Sequence, residues 1–220
     1  MQRLTPTVKA LIIAVTLAYF LFVLAPPLDD LIAAHLFLGP NLWRGEVWQP
    51  LTALFLHSRF MGWIFSVIGL WWVGAFVERV RGRRFFLSLY LGAGVAANVA
   101  AALLGRFVEG AAIARSDGAA FALTAIFVAF ARIYGAQPAQ IWGAFSMRAD
   151  YFTWILVGFS LLLSLVNRDW GGFVAEVVAV AVALGATGGF GSLLRRRQAA
   201  KRRRYQVLEG GRSRKPTTLN

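Results

Sequence analysis

"LHSRFMGWIFSVIGLWWVGAFVE", residues 56–78, holds eighteen uncharged residues between Arg59 and Glu78. As a helix that run is about 27 Å long, close to the roughly 30 Å hydrocarbon layer of a bilayer. Ser66 interrupts its apolar interior, and glycines stand at 62, 69 and 74. The fold and the chemistry of the whole chain turn on how this stretch is read.

The remainder of the chain is equally apolar. Of 220 residues, 58% are hydrophobic and 15% charged, and mean hydropathy is +0.61, which points to an all-α polytopic membrane protein and away from a soluble domain. Apolar segments at 8–26, 60–77, 85–104, 118–133, 151–166 and 171–191 predict six transmembrane helices. The first is read as a retained helix and not a cleaved signal, because "APPLDD" lacks a small-residue cleavage site and five more helices follow. Residues 1–194 are thus one membrane domain, with an outer loop at 27–50 whose apolar and tryptophan residues suit the membrane interface. Residues 195–220 form a basic, largely disordered tail.

The formal net charge of +13 is clumped in "ERVRGRRF" and "RRRQAAKRRRYQ". Beside apolar helices such runs fix orientation and touch anionic lipid headgroups, so nucleic acid is not the expected partner. Eighteen Lys and Arg fall on one side of the predicted topology and five on the other. That imbalance predicts that both termini are cytoplasmic. Cysteine is absent and histidine is limited to His35 and His57, which removes thiol chemistry and cysteine-based metal sites. No cofactor and no metal are expected.

Between Asp117 and Arg132 lie fourteen uncharged residues, about 21 Å as a helix. Two readings follow: a short helix tucked inside the bundle away from lipid, or a locally thinned membrane. Residues 151–166 are similarly brief.

The run from Trp48 to Glu78, "WQPLTALFLHSRFMGWIFSVIGLWWVGAFVE", resembles the loop and second helix of the rhomboid superfamily. Trp48, Thr52, His57, Gly74 and Glu78 occupy the family's positions without a gap, and "RVRGRRF" matches its glycine-containing turn. The resemblance covers about residues 40–190 and implies a six-helix rhomboid-like bundle. Its bacterial members are proteases, which implies a bacterial inner membrane.

The positions that the resemblance makes catalytic are substituted. Its oxyanion-stabilising His-x-x-x-Asn pair falls on Gly62 and Ser66, and its Gly-x-Ser-Gly nucleophile loop on "RSDG", with Asp117 at the serine and Gly118 retained. The catalytic histidine falls on Glu176, with Ala179 at the glycine three residues later. Ser116 is the fallback nucleophile, one residue and about 100° of helical rotation out of register. A serine hydroxyl attacks poorly until a positioned base takes its proton, so these substitutions imply a pseudoprotease. Pro50 after the Trp-x pair and "FTWILVGFS" are similar to the non-proteolytic Derlins, whereas Gln49 stands where both branches carry arginine.

The implied work is recognition of client proteins' transmembrane segments, entering between the second and fifth helices. The rival reading is a divergent protease using Ser116 or an Asp117/Glu176 pair sharing one proton. Solute transport through an acid-lined cavity is a third. Asp117 also reads as a helix N-cap, with Arg115 a candidate ion-pair partner for either acid, and Asn98 as a polar staple between helices. The small-residue tract containing Gly185 and Gly189 reads as close packing or as a homo-oligomer face.

Overall fold

The computed structural model describes residues 4–108, 119–135, 138–141 and 145–188. Six main helices follow one another: α1, Pro6–Leu24; α2, Phe60–Arg81; α3, Arg83–Phe107; α4, Ala119–Tyr134; α5, Ala149–Val166; and α6, Trp170–Gly188. Five are long and apolar enough to cross a membrane, and α4 is shorter. Each expected helix is present, with ends shifted by a few residues. The protein is an all-α polytopic membrane protein.

Two features depart from the expected outline. Before α5, β1 (Pro138–Ile141) pairs antiparallel with β2 (Phe145–Arg148), between two of the expected helices. Within α2, Leu70–Gly74 forms a π-helical turn between two α-helical stretches. Such a turn takes up one extra residue without breaking the helix.

The helices pack through stripes set by the 3.6-residue period. In α1 the buried residues Val8, Leu11, Val15 and Tyr19 recur every three or four positions. In α3 the stripe is Phe86, Leu89, Tyr90, Ala93, Gly94, Ala97, Asn98 and Ala101. α2 passes into α3 at Gly82, whose φ of +86° is strained for any residue with a Cβ.

α4 occupies the middle. It buries Ala119, Ala122, Leu123, Ala125, Ile126, Val128, Ala129, Phe130 and Ala131, against α2, α3 and α5. Of the two readings of its shortness, the structure has the helix tucked into the bundle. Small residues let its neighbours approach. A Cβ built on Gly94 of α3 would stand 2.5 Å from a Leu54 methyl and 3.0 Å from Ala122 Cβ, and one on Gly69 of α2 would stand 3.2 Å from Leu123. Ala97 and Ala101 of α3 meet Ala175 and Ala179 of α6, with Phe121 packed against them.

Gly94→Ala is expected to lower stability by about 1–3 kcal/mol, the usual cost of overpacking a filled site. Gly92→Ala, two residues away with nothing within 4 Å of its added Cβ, is expected to be neutral or slightly stabilising because alanine is the better helix former. Thermal melts of both variants in the same detergent check the pair, and equal destabilisation would contradict the close approach.

Candidate functional site

The segment joining α1 to α2 is ordered by short helices, Asp29–His35, Pro40–Arg44, Gln49–Thr52 and Ala53–Phe55. None is long enough to span a bilayer. Ile32, Phe37 and Leu56 form its apolar core, with Phe22 of α1 against them; the Phe22 and Phe37 rings are 5.5 Å apart, edge to face.

The polar contacts of this loop converge on Gln49, which is fully buried. Its Oε1 accepts from the Gly39 amide at 2.9 Å, and its Nε2 donates to the Ala34 carbonyl at 3.1 Å and to Glu46 at 2.7 Å. On either side Trp48 Nε1 donates to the His35 carbonyl at 3.0 Å and Thr52 Oγ1 to the Leu36 carbonyl at 2.7 Å. Three neighbouring side chains therefore pull residues 34–39 back onto 48–52. His35 itself lies 2.6 Å from Glu46 with its side chain half exposed. Asn98 of α3 reaches across to the Pro50 carbonyl at 2.9 Å, fixing the loop to the bundle.

Past this loop the chain enters α2 through His57. Its Nε2 lies 2.7 Å from the Ser66 hydroxyl, and both residues are buried. Ser66 is thus tied to its own chain nine residues back. Gly62, one turn earlier, is half-buried and brings no side chain to the site.

Glu78 stands sixteen residues beyond Gly62 on the same helix, about 24 Å away. Its carboxylate accepts from the Thr5 hydroxyl and, at 3.2 Å, from the Val8 amide. A helix leaves its first amides without partners, and an acid there also favours the positive end of the helix dipole. Glu78 thus caps α1 from another helix. Gly74 sits between, its added Cβ 3.3 Å from the Phe86 ring.

Glu176 is 1% exposed. It accepts from the Thr124 hydroxyl of α4 at 2.9 Å, and Ser160 of α5 lies beside it. A neighbouring helix thus supplies a donor to this carboxyl, in the alanine-lined seam of Ala175 and Ala179. That partner was missed in the sequence, although Thr124 is the one polar side chain between Asp117 and Arg132. Ser116, Asp117 and Gly118, with Arg115, lie outside the described residues, as does Gly189. Among the described residues no group of three or more His, Cys, Asp or Glu could hold a metal ion.

The six-helix arrangement and the loop with Trp48, Gln49, Thr52 and His57 leading into α2 define a rhomboid-like integral membrane protein. Residues 9–206 match the model of the family described as "Eukaryotic integral membrane protein (DUF1751)", and the chain belongs to that family. A 57-residue stretch is 40% identical to the "Rhomboid protease GluP" of Bacillus subtilis, covering 26% of this chain and 11% of that protein. The chain thus matches about a tenth of that relative's length. A bacterial inner membrane, expected from the sequence, finds no support in a family described as eukaryotic. What stands is an integral membrane protein.

Gln49→Leu keeps the side-chain volume but leaves the Gly39 amide and the Ala34 carbonyl without that partner, so about 1–3 kcal/mol of stability should be lost. Limited proteolysis should then cut within residues 36–48 several-fold faster than in the parent. Arg44→Ala, which removes an exposed 3.3 Å contact to Asn41, should leave the digestion pattern unchanged.

Proposed function

We propose that this protein uses the rhomboid scaffold without rhomboid proteolysis, binding transmembrane segments of client proteins in order to hold or route them. The observation that carries the reading is Glu176. At the position where the resemblance puts the histidine base, a carboxyl is buried and bonded to the Thr124 hydroxyl of α4. Serine proteolysis requires a base hydrogen-bonded to its nucleophile. Thr124 instead holds this acid as part of the packing.

The surface of α5 supports the client half of the reading. Tyr151, Trp154, Ile155, Phe159 and Leu162 are exposed along it, and its contact with α2 includes Trp72 against Phe152, rings 5.6 Å apart and edge to face. A transmembrane helix entering between α2 and α5 would meet that aromatic pair. The charge asymmetry of the loops supports placing both chain ends in the cytoplasm.

The second reading, a divergent protease using Ser116 or the Asp117/Glu176 carboxylates, has the 57-residue match to a rhomboid protease on its side. One experiment separates the two. The protein is reconstituted in liposomes with a single-span substrate, with a photocrosslinker placed at Phe159 and, separately, at Phe65. Binding without cleavage predicts crosslinks to intact substrate and no cleavage product. Cleavage lost on Ser116→Ala, Asp117→Ala or Glu176→Gln would establish the protease instead.

A further inference from the structure

A second site lies at the basic end of the bundle, beside the Glu78 cap of α1. Pro6, Thr7, Ala10, Leu11 and Ala14 of α1 and Arg83 and Leu87 of α3 line a cavity of about 440 Å3, within the roughly 300–1,000 Å3 of small-ligand pockets. α1 packs chiefly on α2 and on the loop before it, which leaves a furrow between α1 and α3.

The furrow has two chemically different halves. Its mouth carries Arg83, the first residue of α3, where the helix dipole adds to the guanidinium charge. Arg79, Arg81 and Arg84 flank it in sequence. The acid of this turn, Glu78, is committed to the first turn of α1. From the mouth the furrow runs from Pro6 to Ala14, about 12 Å of helix rise, along Ala10, Leu11, Ala14 and Leu87. Small alanines on α1 leave the space, and Leu11 and Leu87 give it apolar walls.

One polar group in it has no use in the packing. Thr7 is 6% exposed, and its hydroxyl is buried without a hydrogen-bond partner among the described residues. A buried hydroxyl left so costs about 1–3 kcal/mol. Thr7 is among the residues lining the cavity, and an acceptor that reached its hydroxyl would satisfy it.

We infer that this furrow binds one anionic glycerophospholipid, with its phosphate on Arg83, an ester or phosphate oxygen accepting from Thr7 Oγ1, and an acyl chain along Ala10, Leu11, Ala14 and Leu87. Charge selects the headgroup, and the apolar half selects a lipid over a free phosphate. The site stands independently of the client-binding reading. It also sits against the Glu78 cap, so an occupied furrow fills the gap beside the start of α1.

The test uses the full chain in neutral detergent, titrated with dioleoylphosphatidylserine or dioleoylphosphatidylcholine and followed by native mass spectrometry. The anionic lipid is expected to bind more tightly. Arg83→Gln should weaken it about fivefold, the worth of one cation at an anionic headgroup. Thr7→Val, which changes no charge, should weaken it about twofold to fivefold, and Ala14→Phe should block it by filling the furrow. Equal retention of the two lipids would overturn the inference. So would weakening by Arg83→Gln with none by Thr7→Val and Ala14→Phe, which is the mark of diffuse surface attraction, or displacement by inorganic phosphate alone. With the unaltered protein, a photoactivatable phosphatidylserine should label peptides spanning 6–14 or 83–87, and labelling confined to other segments contradicts the site whatever the variants do.

Discussion

A helix too short to cross a bilayer alone must be kept from lipid, and the packing around α4 is the answer to that constraint. Its sixteen residues rise about 24 Å. Lipid offers no hydrogen bonds to exposed helix ends, so such a helix needs protein around it. Glycine and alanine make this possible: Gly94 and Gly69 admit α4 to the surfaces of α3 and α2, and van der Waals contact at close range replaces the hydrophobic force that is lost among lipid tails. The central place of α4 dictates the rest. α3 and α6 close on each other through alanines, while α5 lies at the outside with most of its surface exposed.

With the interior so tightly packed, each buried polar side chain needs a nearby counterpart, and the chain supplies it from another segment. Gln49 gathers the outer loop, Asn98 fixes that loop to α3, His57 and Ser66 hold each other, Glu78 caps α1, and Glu176 takes a hydroxyl from α4. Burying an ionisable group in a membrane is costly, and the Thr124 donor offsets part of that cost for Glu176. Among the described residues, two groups at positions that the rhomboid resemblance would make chemical are joined to the packing. Ser66 bonds a histidine of its own loop, and the acid at the base position bonds Thr124.

The helices were legible because bilayer thickness is a length constraint, and apolar length survives in a sequence whatever the packing. The lone polar residues were half legible. Glu176 and Asn98 stood out by position, whereas their partners depend on the rotation of neighbouring helices, which no single segment encodes. Gln49 was legible only as a departure from arginine; its partners, Ala34 and Gly39, lie fifteen and ten residues away in a loop without periodicity. The hairpin of β1 and β2 escaped because four-residue strands carry too few positions to show an alternation, and Pro138 argues against a strand. The π turn in α2 leaves no mark in composition.

The central claim is that no hydroxyl in this protein is activated for attack. Incubation with a fluorophosphonate probe in native bilayers, beside an active rhomboid protease as the positive control, tests it directly, with intact-mass and peptide analysis to locate any adduct. Labelling of the control and none of this chain is the predicted result. A stoichiometric phosphonate on Ser116, Ser66 or any other serine would contradict the account.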